Sequence, residues 1–183
     1  IYGTLFTSIA SLLIAIFTIF LVIILATRES GVERMRTHLV GEIAPPVSGM
    51  TIEDDFWSLD NQKGRWVLVN FFSTTCIPCL EEHPELVSFS ESQSVNNDVR
   101  IVSVAFDDDA SSVASFFDEN GGGWPVLAYD TSRIAVDWGV IAVPESYLVS
   151  PAGFVSAKIV GGIKRAEIEN LLLRAKRKSD EKP

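Results

Sequence analysis

Two cysteines, and only two, occur in this 183-residue chain: Cys76 and Cys79, within FFSTTCIPCLEEHPEL (71–86). Thiols three positions apart can close a small loop, supply half a metal site, or exchange electrons as a pair. A staple over two intervening residues constrains the unfolded chain little, because its entropic effect grows with loop length. A structural zinc site needs four Cys or His ligands, whereas the only histidines are His38 and His83 and there is no second cysteine pair. The redox reading fits the surroundings better. Cys76 follows an apolar run of strand length, WVLVNFF (66–72), and opens a segment of helical character. Free N–H groups and the positive helix end favour a thiolate there. Cys79, one turn on, is within reach of a mixed disulfide formed by Cys76. This reading requires that neither sulfur be sealed in the interior.

Other groups near the pair have competing uses. Glu82, three residues after Cys79, would share its helical face; a carboxylate there raises thiol pKa values and can pass a proton to Cys79. Alternatively it is a solvated surface charge like its neighbours Glu81 and Glu85. His83, beside Pro84, reads as a half-exposed packing residue. The DDD run (107–109) sits at a strand-to-helix junction, where aspartates cap the following helix more readily than they bind a cation. Trp66, Trp124 and Trp138 read as packing.

The elements that must hold these groups follow from the apolar pattern. Turn formers and short apolar islands over 41–65 predict a hairpin or extended lead-in. Strands are predicted at 66–72, 99–106 and 124–130, and helices at 77–90, 107–120 and 131–140. Pro84 removes a backbone bond to Leu80 and should bend the first of these helices. Residues 144–162 read as a strand, a Pro-Ala-Gly turn and a second strand, and 164–178 as a closing amphipathic helix. This alternation implies an α/β domain with a parallel core, antiparallel additions and helices on both faces.

The N-terminus is of another kind. No charged residue occurs from Gly3 to Ala26, a run that would span roughly 36 Å as a helix, enough for a hydrocarbon core. It is longer than the apolar centre of a cleaved signal peptide. The expected organisation is a single transmembrane anchor at 1–27, a linker at 28–37, one domain at 38–178 and a tail at 179–183. Arg28, Arg34 and Arg36 are offset by Glu29 and Glu33, so charge bias alone does not orient the anchor. The net charge of −9 leaves no basic surface for nucleic acid.

VLVNFFSTTCIPCLEEHPEL, GVIAVPESYLVSPAGFV and the lead-in IAPPVSG resemble the membrane-tethered thioredoxin-like proteins of the ResA, CcmG and TlpA type, over about 38–173. The resemblance implies a thioredoxin fold, placement on the extracytoplasmic side of the membrane, and reduction of disulfides in apocytochrome c or oxidase-assembly proteins. No cofactor beyond the redox-active Cys76–Cys79 disulfide is implied; the oxidised pair would be re-reduced by a membrane thiol donor. Cys76 matches the attacking thiol and Cys79 the resolving one. Pro144 matches a cis-proline facing the cysteines, with Val143 offering its backbone to an extended substrate strand. Glu82 matches an acidic residue near the site. Glu145 matches the glutamate after the proline, a rim carboxylate by resemblance and a strand-edge charge by default. Two departures stand out: Thr75 occupies the place of the usual tryptophan, and Asn70 the place of the buried aspartate of cytoplasmic thioredoxins.

The expected activity is therefore protein-disulfide reduction. A related peroxidase would carry proline and threonine where Val69 and Ser73 stand. A reading from another class is a copper metallochaperone holding Cu(I) on the two thiolates, but such carriers add a distal histidine, and none follows His83.

Overall fold

The computed structural model describes residues 13–21, 39–93 and 99–180. The chain divides into two compact units, Ile1–Val32 and Glu33–Pro183. In the first, residues 13–21 form a helix, α1, whose apolar side chains, among them Leu13, Phe17 and Phe20, are exposed. Among the described residues no helix is long and apolar enough to cross a membrane. The remainder of the expected anchor, the linker and His38 lie outside the described residues.

The second unit runs β1 (Ser48–Met50), β2 (Phe56–Ser58), β3 (Trp66–Phe72), α2 (Ile77–Gln93), β4 (Val99–Ala105), α3 (Ala110–Asn120), β5 (Val126–Leu127), α4 (Ser132–Asp137), β6 (Glu145–Val149), β7 (Val155–Val160) and α5 (Arg165–Asp180). Its five-stranded sheet has the order β5-β4-β3-β6-β7. β3 and β4 are parallel, as are β4 and β5; β6 joins the other side of β3 antiparallel and β7 joins β6 antiparallel. Every residue of β3 is buried, as its continuous apolar run requires of a central strand covered on both faces.

Alternation along β3 divides the interior in two. Leu68 and Phe72 face a core shared with Leu86 and Phe89 of α2, Phe117 of α3 and Ile168 and Leu172 of α5. Val67, Val69 and Phe71 face a second core with Trp138 and Tyr147, closed by Leu39 and Val47 of the lead-in. Trp66, Trp124 and Trp138 are all buried packing residues. Each large side chain so buried contributes about 1.5–3 kcal/mol.

The lead-in is the expected hairpin: β1 pairs antiparallel with β2, Gly49 opposite Trp57. It continues onto the sheet through a bridge from Thr51 to Leu127, and so covers the edge at β5. Two expectations need correction. The strand expected at 124–130 is only Val126–Leu127: Pro125 has no N–H to give, and beyond Leu127 the chain turns through Asp130, at φ 53°, into α4. The last helix extends to Asp180, into the expected tail. α2 continues through Pro84 to Gln93.

Candidate functional site

Cys76 and Cys79 are joined as a disulfide, with their Cα atoms 5.2 Å apart, where β3 gives way to α2. β3 ends at Phe72, and the next residues turn tightly enough for the Cys76 N–H to donate to the Ser73 carbonyl at 3.2 Å. Cys76 is therefore placed immediately before α2, where its carbonyl accepts from the Leu80 N–H at 3.1 Å. Its sulfur accepts from the Cys79 N–H at 3.3 Å, a donor shared with the Cys76 carbonyl at 3.0 Å. A negative sulfur would be held by the same donor.

The two cysteines differ in exposure. Cys76 is half-buried, whereas Cys79 is 5% exposed and belongs to the α2-side core. The expectation that neither sulfur be sealed is corrected for Cys79. A resolving thiol attacks only the sulfur three residues before it, so it needs no opening to solvent.

The Val143–Pro144 bond is cis, and the Val143 carbonyl oxygen lies 3.5 Å from Cys76 Sγ. A disulfide sulfur has no proton to donate, so in the oxidised pair this is a contact. Pro144 is buried and Val143 half-buried. The structure thus brings together Cys76, Cys79 and the Val143–Pro144 segment, which the chain separates by more than sixty residues. Ile77 and Ile141, next in sequence to Cys76 and two before Val143, are exposed apolar side chains.

Glu82 is not a surface charge. It is 3% exposed, on the same buried stripe of α2 as Cys79. Its Oε1 accepts from Asn70 Nδ2 at 2.6 Å and its Oε2 from the Ile163 N–H at 2.9 Å. Burial raises its pKa to about 7, against the lowering effect first of the Ile163 N–H and then of the Asn70 amide. Near neutrality Glu82 therefore holds or releases a proton. Asn70, in the aspartate's place, is itself buried and also meets Ser146 Oγ and Ser103 Oγ, at 3.1 and 3.3 Å.

Glu145 is neither a strand-edge charge nor a rim carboxylate. It is 1% exposed and faces the other core, on the opposite side of the sheet from Asn70 and Glu82. Lys158 Nζ pairs with its Oε2 at 2.9 Å, and the Tyr147 hydroxyl is 3.0 Å from the same oxygen. Burial first, and then the Glu145 charge, raise the Tyr147 pKa and keep its phenol protonated. Glu145 Oε1 and Trp138 Nε1 are buried without a hydrogen-bond partner among the described residues.

His83 is more buried than its sequence context predicts. It is 5% exposed, ringed by Phe116, Phe117 and Trp124, with Nε2 on the Gly121 carbonyl at 2.9 Å. Burial lowers its pKa, opposed by carbonyls of Gly121 and Asn120. Among the described residues no group of three or more His, Cys, Asp or Glu is placed to hold a metal ion. Of the DDD run, Asp109 caps α3, accepting from the Ser112 N–H at 2.9 Å. The Ser111 and Ser112 hydroxyls also hold its carboxyl well below the usual range.

Asp108 instead reaches the loop ahead of Cys76, a contact that sequence reasoning missed. One signal pointed to it. It follows the end of β4, the parallel neighbour of β3, and loops leaving the carboxyl ends of such strands meet.

Residues 40–158 match the model of the AhpC/TSA family. The chain is 34% identical over 122 residues to the thiol:disulfide interchange protein CycY of Rhizobium leguminosarum bv. viciae, a match spanning 66% of this chain and 63% of that protein. It is 31% identical over 139 residues to the thiol:disulfide interchange protein HelX of Rhodobacter capsulatus, spanning 74% and 76%. The thiol-disulfide oxidoreductase ResA of Bacillus anthracis is 27% identical over 133 residues, spanning 73% and 76%. Among solved structures, a thioredoxin family thiol:disulfide interchange protein from Chlorobium tepidum TLS superposes with a TM-score of 0.67 at 26% identity, over 73% of this chain and 94% of that one.

Proposed function

This chain belongs to the AhpC/TSA family and is a thiol–disulfide oxidoreductase of the interchange type, and we propose that it works as a reductant of protein disulfides outside the cytoplasm, in cytochrome c maturation. The observation that carries the reading is the asymmetry of the pair: a half-buried Cys76, its sulfur beside the Cys79 N–H and the Val143 carbonyl, joined to a buried Cys79.

In the reduced chain the Cys76 thiolate attacks one sulfur of a substrate disulfide. That bond breaks, a mixed disulfide forms, and the other substrate sulfur leaves as a thiolate that takes up a proton. Cys79 then gives up its proton, with Glu82 as the acceptor on its own helix face, and attacks Cys76 Sγ. The second substrate thiolate is released and two electrons have passed to the substrate. The resulting Cys76–Cys79 disulfide is the form seen here; a membrane thiol donor returns it to the dithiol. Val143 presents backbone to an extended substrate segment, and the exposed Ile77 and Ile141 give that segment apolar footing. The apolar run over 3–26 would tether the domain beside donor and acceptor, raising their effective concentration. Apocytochrome c or an oxidase-assembly protein is the substrate class.

Trapping tests this. Cys79→Ser should accumulate a mixed disulfide with its substrate in the native membrane, released by dithiothreitol, and Cys76→Ser should neither trap nor reduce. A Cys76→Ser protein that still reduces protein disulfides would end the proposal.

A further inference from the structure

The three residues between β3 and the attacking thiol, Ser73, Thr74 and Thr75, are held by a residue from a different loop. Asp108 Oδ2 accepts from the Thr74 N–H at 2.6 Å, from Thr74 Oγ1 at 2.7 Å and from Ser73 Oγ at 3.2 Å. Thr75 is folded back onto the same network, its Oγ1 3.0 Å from Ser73 Oγ. Ser73 is buried, and its carbonyl accepts the Cys76 N–H. The chain from carboxylate to nucleophile is therefore short: Asp108 to Ser73 and Thr74, and Ser73 to Cys76. Asp108 is itself fixed from its own side, since Oδ1 accepts the Asp109 N–H at 3.0 Å and Asp109 caps α3. Bonds of this kind, with an ionised acceptor, are about twice as strong as neutral ones.

We infer that Asp108 is a positioning residue for disulfide exchange: by gripping the 73–75 loop it keeps Cys76 seated at the mouth of α2, with its sulfur on the Cys79 N–H. The inference rests on Cys76 being the attacking thiol. Among the described residues, Asp108 supplies the side-chain hydrogen bonds from the β4–α3 junction to the 73–75 loop, and Thr75 lacks the bulk of the usual tryptophan.

The carboxylate has a second effect of opposite sign, since its charge disfavours a thiolate nearby. Two variants separate the effects. Asp108→Asn removes the charge and keeps an acceptor oxygen; Asp108→Ala removes both. The readout is the pH profile of Cys76 alkylation by iodoacetamide in the reduced full-length chain. Asp108→Asn should match the parent at neutral pH or exceed it. Asp108→Ala should react about tenfold more slowly than Asp108→Asn, as expected when a reacting atom loses its orientation, with its profile displaced to higher pH. Thr74→Val keeps the charge and removes one bond. It should fall between the parent and Asp108→Ala, and it serves where Asp108→Ala does not fold. An Asp108→Ala profile lying on that of Asp108→Asn, or Thr74→Val lying on the parent, overturns the assignment. Alkylation needs no protein substrate, so the two readings fail separately. Overlaid profiles with trapping intact overturn the role of Asp108 alone; lost trapping with displaced profiles overturns the reductase reading alone.

Discussion

Glu82 shows how a single side chain can be tuned by its seat. Three residues after Cys79 on one helix, it would ordinarily be ionised at neutral pH, and burial holds its pKa near 7 instead. Above that value it carries a charge on the helix face that it shares with Cys79, and like charges oppose each other once the pair is reduced to thiolates. Glu82→Gln should therefore lower the thiol pKa values, read from thiolate absorbance on titrating the reduced protein; unchanged values would leave Glu82 with a structural role only. The same shift reaches stability. A folded-state pKa above the unfolded 4.5 means that the native chain binds the extra proton between about pH 4.5 and 7, so stability falls as pH rises through that window. The full span amounts to roughly 3 kcal/mol by the pKa-to-energy conversion. Urea melts at pH 5 and pH 8 should show this decline in the parent and a flatter dependence in Glu82→Gln.

At the scale of elements, the junction between β7 and α5 leans on the redox turn. Gly162 follows β7, and a Cβ added there would meet the Pro78 carbonyl oxygen at 3.3 Å, a backbone atom inside the C-x-x-C turn. Its φ lies outside the left-handed region, so alanine is admissible locally and the conflict is one of space. Gly162→Ala should force the Pro78 carbonyl to give by a few tenths of an ångström, lowering stability and slowing exchange by displacing Pro78. Gly123→Ala, with nothing within 4 Å of its Cβ, is the matched control, and chemical denaturation of the two checks the difference. Such contacts mark the limit of what the sequence disclosed. The continuous apolar run of β3, the cap residues before α3 and the cysteine pair opening α2 are local signals, and local patterns announced them. The burial of Glu82 depends on Asn70 of β3 and Ile163 beyond β7, which meet it only once the sheet has formed. β5 shrank to two residues because pairing with β4, not apolarity, sets a strand's length. Asp108 read as a helix cap because its run of three aspartates serves two loops at once.

For the whole molecule, the sheet separates two kinds of polar cluster. Asn70, Glu82, Ser103 and Ser146 lie on the face that carries the disulfide, whereas Glu145, Lys158 and Tyr147 lie on the other, with Lys158 Nζ 2.9 Å from Glu145 and 5.2 Å from the centroid of the Tyr147 ring. Glu145 follows Pro144 in sequence and so stands next to the redox site along the chain, but strand alternation turns its side chain away. Lys158 and Glu145 are both nearly sealed from water, at 6% and 1% side-chain exposure. Removing one partner of such a pair leaves a buried charge without its counter-charge, which costs about 3–5 kcal/mol. Lys158→Met should therefore unfold at markedly lower denaturant, while the thiol titration of its folded fraction stays that of the parent. The double variant Lys158→Met with Glu145→Gln removes the stranded charge and should recover much of the loss, because an apolar or neutral filling of a buried ion-pair site is often tolerated. If Lys158→Met instead displaced the thiol titration while leaving stability alone, the pair would belong to the redox chemistry, and the division of labour between the two faces would be wrong.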